Sequence, residues 1–189
     1  MLPGRMSIWG TKKPCGGTGC GHGFPVRGRA CRPGRPRGRK GNCMIPRFGL
    51  PPGRRAYRLR PGAYALLIRD GAALLTFQQA PEPEFQLPGG GIDPGESPLA
   101  ALHREVREET GWSIGNPRRF GSYRRFCYLP DYGFWAEKLC TVWLARPVTR
   151  RGAPAEPGHE AHWVPLPQVA RLLPDPGSRA FVRAALRRL

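Results

Sequence analysis

Three glutamates, Glu105, Glu108 and Glu109, stand at i, i+3 and i+4 within the stretch PLAALHREVREET, Pro98 to Thr110. On a helix, that spacing projects all three carboxylates from neighbouring points. Leu99, Leu102 and Val106, at i, i+3 and i+7, predict such a helix with one buried apolar face. The other face is then expected to carry the acids. Like charges so spaced repel by about 0.2–0.5 kcal/mol per pair, and Arg104, four residues before Glu108, can pair with it. A divalent cation would relieve the remaining repulsion, and an all-oxygen donor set suits Mg²⁺ or Mn²⁺ better than zinc. Taken alone, the helix is equally consistent with a solvated acidic face pinned by Arg104.

The flanking residues separate these readings. Gly90 is followed by five residues and Glu96, then seven residues and Arg104-Glu105-Val106, one residue and Glu108-Glu109, one residue and Gly111. This order resembles the Nudix box, G-x5-E-x7-R-E-U-x-E-E-x-G-U with U aliphatic, at every fixed position but the last. There Trp112 replaces the usual aliphatic residue, a departure that bears on packing more than on chemistry.

The resemblance implies the Nudix fold, an α/β class with a mixed β-sheet in an α/β/α sandwich, over residues 55–189. It implies a hydrolase acting on phosphorus-containing acid anhydrides with Mg²⁺ or Mn²⁺. The substrate would be a nucleoside diphosphate linked to another moiety: a nucleoside triphosphate, a dinucleoside polyphosphate, ADP-ribose or a nucleotide sugar. Glu105, Glu108 and Glu109 would be metal ligands, joined by the Gly89 carbonyl. Arg104 would orient one of these carboxylates, and Glu96 would stand behind them or contact metal-bound water. A general base is expected from outside the box, with Glu160 as first candidate and Glu156 in reserve; His103 and His162 are expected to be structural. Arg124, Arg125 and Tyr128 are candidate substrate contacts, Tyr128 lying near where dinucleoside-polyphosphate hydrolases of the family place a tyrosine. Phe126, Tyr132, Phe134 and Trp135 could stack on a base, although alternation along strands puts at least half of such residues in the core. The alternative function is a non-catalytic nucleotide-binding regulator on the same fold. A complete set of mutually repelling glutamates argues for the enzyme.

These residues need a scaffold, and its elements are legible around them. Two apolar runs, 64–69 and 72–77, flank Asp70-Gly71 and predict a β-hairpin. A short strand over 85–87 leads into Gly89-Gly90-Gly91, where the backbone can approach a metal or phosphate closely. Ser97 is the expected N-cap of the acidic helix, with Pro98 in its first turn. Beyond the box, strands are expected over 118–129 and 134–145 around the turn 130–133, then a loop over 147–158 and a strand over 162–164. Helices over 166–173 and 177–189 close the chain.

Charge divides the sequence in two. The net charge is +18, but no Asp or Glu precedes Asp70, so residues 1–69 carry +16 and the remainder +2. Residues 1–53, rich in Gly, Pro and Arg, form an expected disordered basic tail, because such a segment buries too little surface to offset its ordering entropy. Three readings of it compete: an inert tail, an arm holding nucleic acid through phosphate contacts, and an untranslated stretch upstream of a start at Met44. The nucleic-acid reading is not the favoured one. Cys15, Cys20, His22 and Cys31 lack the paired spacing of familiar zinc modules, and Cys127 and Cys140 are expected as free thiols on strands. No run approaches the roughly 20 apolar residues of a membrane span. The expected protein is cytoplasmic and acts on a nucleotide-type small molecule, with its oligomeric state open, a homodimer included.

Overall fold

The computed structural model describes residues 44–49, 53–80 and 82–189. The cysteines and histidine weighed for zinc and most of the expected tail lie outside the described residues.

The acidic helix, α1, runs Pro98–Thr110. Ser97 Oγ accepts a hydrogen bond from the Ala100 N–H at 3.2 Å, and Pro98 takes the first turn, where no donor is needed. Gly111 ends the helix with φ +73°, donating its N–H to the Arg107 carbonyl. A side chain here would meet the Gly152 carbonyl at 2.2 Å, so both the backbone conformation and the neighbouring loop require glycine.

The sheet has eight strands: β1 Arg47–Phe48, β2 Arg58–Arg69, β3 Ala72–Gln78, β4 Glu84–Gln86, β5 Gly89–Gly91, β6 Trp112–Leu129, β7 Phe134–Arg150 and β8 His159–Pro165. The main path is β1-β6-β7-β2-β3-β4, with β5 paired to β2 and β8 to β3. β2 and β3 form the expected hairpin, with Asp70 and Gly71 both at positive φ as a type I′ turn requires. The glycine run that follows the expected strand is itself a strand, β5, antiparallel to Gly62–Tyr64. β6 and β7 extend beyond their expected ends because the two pair antiparallel from Trp112/Arg150 to Leu129/Phe134. β1 is a second difference: it pairs parallel with β6, and Phe48 packs edge-on against Tyr123 at 5.6 Å. The folded part thus reaches upstream of Arg55.

Alternation along β2 and β3 builds two cores. Ala63, Ala65, Leu67 and Leu74 face α1, meeting Leu102 and Val106. Tyr64, Leu66, Ala73 and Leu75 face the other way, onto Val169 of α2 (Leu166–Leu172) and Val182 of α3 (Pro176–Leu186). Each fully buried leucine contributes about 1.5–3 kcal/mol. Helices on both faces of a mixed sheet make the expected sandwich. Trp112 takes its place at the margin of the first core, edge-on to Trp163 at 5.8 Å, with the Arg69 guanidinium 4.7 Å from both ring centres.

One expectation about α1 is overturned. Leu99 is 42% exposed, and the buried stripe is Ala101, Leu102, Glu105, Val106, Glu109 and Thr110. Two of the three glutamates therefore lie on the buried side of the helix. Burial is tolerable because their carboxyl oxygens meet donors there, as described next.

Among the described residues, no helix is long and apolar enough to cross a membrane. Cys127 and Cys140 are both free, Cys140 buried.

Candidate active site

Arg104 sits at the centre of the cluster. Its Nε and Nη2 donate to the two oxygens of Glu96 at 3.0 and 2.8 Å, a two-point grip. Nη1 donates to Glu105 Oε1 at 2.9 Å and to Glu108 Oε2 at 3.1 Å, and Nη2 also reaches the Gly91 carbonyl at 3.1 Å. One guanidinium thus orients three carboxylates and ties α1 to β5. Glu96 is fixed further by the Asp93 N–H at 3.2 Å. Its hydrogen bonds from Arg104 hold its carboxyl below the usual carboxylate range.

Glu109 points inward between α1 and the sheet. Its Oε2 accepts the Gly89 N–H at 2.9 Å and the Thr76 hydroxyl at 3.1 Å. Burial nevertheless pushes its pKa up to about 8, with Glu105 and Glu156 adding to the rise. Burial likewise raises Glu105. Its carboxylate lies so close to β5 that a Cβ on Gly90 would stand 2.5 Å from Oε2; this explains the glycine that opens the box. Glu108 is the outward member, with 44% of its side chain exposed. It borders an open cleft of about 930 Å³ that is also lined by His103, Arg107 and Arg151, so basic groups flank the acids.

A second element completes the cluster. The loop 151–158 is fastened to the end of α1: the Arg151 N–H donates to the Gly111 carbonyl at 2.7 Å, and the Ala155 and Glu156 N–H groups both donate to the Glu108 carbonyl, at 2.7 and 3.1 Å. These bonds satisfy carbonyls that a helix terminus leaves open. They also bring Glu156 and His159 to Glu109, and ligand atoms of the three lie within 4.8 Å of one another.

Arg104 thus gathers Glu96, Glu105 and Glu108, while Glu109, held by the Gly89 N–H, lies near enough to Glu105 for that charge to raise its pKa. Glu160 is not gathered with them: its side chain bonds to Gln79 at 2.8 Å and to His162 at 3.2 Å on β8. Of the substrate candidates, Arg124 pairs with Glu137 at 3.2 Å and Arg125 with Asp175 at 3.4 Å. Tyr128 is exposed and packs on Trp135 at 5.4 Å. Thr76 and His159 were not singled out by the sequence. Thr76 left a usable signal, a lone polar residue two places after Leu74 on an inward-facing alternation; His159 left none.

Glu109, Glu156 and His159 form a cluster of ligand atoms suited to a divalent cation, which would also relieve the repulsion between the carboxylates.

Comparisons with known proteins bear on the fold and the family. A solved NUDIX hydrolase from Nitrosomonas europaea has a TM-score of 0.58 at 20% identity, covering 69% of this chain and 90% of that one, a likeness of fold. An RNA pyrophosphohydrolase from Halorhodospira halophila is 36% identical over 67 residues, 35% of this chain and 37% of that protein. A CMP-5'-(N-acetyl-N-hydroxy-3-aminopropyl)phosphonate hydrolase from Streptomyces rubellomurinus is 32% identical over 91 residues, 47% of this chain and 41% of that protein. The chain thus spans about two fifths of the length of these curated relatives. The family model described as NUDIX domain matches residues 58–185, from the start of β2 into the last turn of α3, and the chain belongs to the Nudix family.

Proposed function

We propose that the chain is a metal-dependent pyrophosphohydrolase that cleaves a nucleoside diphosphate linked to another moiety. The observation that carries this is the cluster of Glu109 and Glu156 with His159, beside Glu105 and Glu108 held by one nitrogen of Arg104. A purely structural helix gains nothing from two buried, mutually repelling carboxylates. The names of the two curated relatives, an RNA pyrophosphohydrolase and a CMP-5'-(N-acetyl-N-hydroxy-3-aminopropyl)phosphonate hydrolase, support the same class of substrate.

Glu108, Glu109 and Glu156 would hold the cation, with Glu105 beside them and the Gly89 carbonyl as a further oxygen. A bound Mg²⁺ or Mn²⁺ supplies countercharge to the diphosphate and acidifies an attacking water. Arg104 holds Glu105 Oε1 and Glu108 Oε2 in place, so the carboxylates need no rearrangement as charge develops. Glu105 Oε2, lying against Gly90, is the better acceptor for the water's proton, and burial favours its protonated form. That role moves from Glu160, whose carboxylate is engaged by Gln79 and His162. Arg107 and Arg151, along the cleft beside Glu108, are suited to the outer phosphate charge. The same proposal locates the activity in the cytoplasm, in keeping with the free Cys127 and Cys140 thiols.

The test is phosphate or nucleotide release from a panel of nucleoside diphosphate derivatives with Mg²⁺, Mn²⁺ or EDTA. Metal-dependent turnover of one substrate class is expected. Glu105→Gln should lower kcat by at least about a hundredfold while retaining cation binding, and Glu160→Gln should leave kcat within about twofold. Tight nucleotide binding with no turnover across the panel would transfer the chain to the nucleotide-binding regulator.

A further inference from the structure

Glu109 faces a residue outside the box pattern. The His159 side chain, at the start of β8, is only 11% exposed, and its Nε2 points at Glu109 Oε1 from 3.8 Å. That separation is too long for a hydrogen bond. The other ring nitrogen, Nδ1, lies 3.3 Å from the Pro157 carbonyl. A carbonyl only accepts, so the tautomer that satisfies this contact has the proton on Nδ1 and leaves the Nε2 lone pair on the side of the Glu109 carboxylate. This is the arrangement in which histidines bind metals: one nitrogen donates to a backbone carbonyl, fixing the ring and the tautomer, and the other is left for the ion.

The spacing fits a shared ion. Metal–ligand bonds of about 2.1 Å put two ligand atoms about 3 Å apart at a right angle and about 4.2 Å apart across the ion. The 3.8 Å separation lies between these limits; Glu156 joins the two residues in one cluster, its Oε1 lying 3.9 Å from the ring's Nδ1. The loop bonds from Ala155 and Glu156 to the Glu108 carbonyl hold His159 at this place.

We propose that His159 donates Nε2 to the cation held by Glu109 and Glu156, and that this nitrogen turns the site from Mg²⁺ toward first-row transition ions. The inference rests on the functional reading above, in that it takes the carboxylate cluster to bind a divalent cation. Mg²⁺ keeps to oxygen ligands, whereas imidazole raises affinity along the transition series. Mn²⁺ stands lowest in that series, so a preference for it over Mg²⁺ is a demanding probe.

The experiment uses the full chain and Mn²⁺ alone, without substrate. Electron spin-echo modulation of the bound Mn²⁺ should show coupling to one imidazole ¹⁴N, and His159→Gln should remove that coupling while Mn²⁺ still binds. Calorimetric titration should find the Kd for Mn²⁺ raised about tenfold in the variant, the scale on which groups around a metal ligand act, with the Kd for Mg²⁺ changed less than about twofold. Mn²⁺ bound to the wild-type chain without nitrogen coupling would overturn this inference and leave the functional reading standing. Failure of the wild-type chain to bind Mn²⁺ at all would overturn both. The wild-type spectrum decides between these outcomes even if the variant folds poorly.

Discussion

Glu109→Gln should make the metal-free protein more stable at alkaline pH and flatten its response to pH. In the folded chain, burial pushes the Glu109 carboxyl from 4.5 up to about 8, and the bonds from Gly89 and Thr76 offset only part of the rise. Below pH 4.5 the group is protonated in folded and unfolded chains alike. Between 4.5 and 8 the unfolded chain releases the proton and the folded chain keeps it, so stability falls as pH rises. At about 1.4 kcal/mol per pH unit, the loss has an upper limit of about 5 kcal/mol, reached above pH 8. Glu105, also raised by burial, acts with the same sign. Glu96 and Asp175, held below their usual values, contribute stability that is lost only as pH falls below the ordinary carboxylate range. Glutamine can accept the same two hydrogen bonds through its amide oxygen without ever becoming charged. The assay is urea unfolding at about pH 5.5, 7.0 and 8.5 in EDTA and again with Mn²⁺. In EDTA, the wild-type midpoint should fall with pH, and the variant should overtake it at the highest pH. Mn²⁺ should reverse that ranking, because only the wild type offers it the full carboxylate set. A wild-type chain more stable at pH 8.5 than at 5.5 in EDTA, or a variant less stable there than the wild type, would refute the reasoning.

Three further outcomes are expected. Gly90→Ala places a methyl 2.5 Å from Glu105 Oε2; the carboxylate must move, and kcat should fall by about tenfold to a hundredfold, read by the same release assay. Arg104→Met removes the hydrogen bonds to Glu96, Glu105 and Glu108 and should cost about 2–4 kcal/mol in EDTA, with part of the loss recovered in Mn²⁺ as the cation replaces the missing positive charge. Removal of residues 1–43, proposed to be dispensable, should leave kcat and the melting temperature unchanged. Removal of residues 1–53 should lower the melting temperature, because it takes away β1 with the Phe48–Tyr123 contact and the Arg47–Glu137 ion pair.

The box was readable because its chemistry is local. Capping by Ser97, termination at Gly111 and the i, i+3, i+4 glutamates all depend on neighbours within one helix, and the structure keeps α1 within the bounds that its periodicity predicts. What escaped the sequence depends on partners far along the chain. Leu99 was assigned to the buried face by apolar character, but the helix turns its buried stripe toward Glu105 and Glu109, because Gly89, Thr76 and Arg104 supply donors there. The glycine run shows itself as a strand only when β2 is laid beside it, since three glycines carry no side-chain pattern to mark one. Arg124 and Arg125 read as a substrate grip, yet adjacent strand residues face opposite ways, and each finds its own carboxylate, Glu137 or Asp175. His159 was invisible for a related reason: its significance lies in a distance to Glu109, fifty residues earlier in the chain.

Glu108 joins these two kinds of information. Its carboxylate belongs to the box and is held by Arg104, while its backbone carbonyl receives the N–H groups of Ala155 and Glu156. One residue therefore offers, on its side chain, the ligand oxygen of the proposed site and, on its main chain, anchors the loop that brings Glu156 and His159 to Glu109. The anchor survives any substitution at Glu108 that leaves the helix intact, so Glu108→Gln should abolish turnover without releasing the loop. Changes at Gly111 work in the opposite sense. A side chain there meets the Gly152 carbonyl, so Gly111→Ala should displace the loop and weaken cation binding although every carboxylate remains. Calorimetry with Mn²⁺ on the two variants separates the contributions: nearly unchanged Mn²⁺ binding in Gly111→Ala would show that the loop contributes nothing to the metal site.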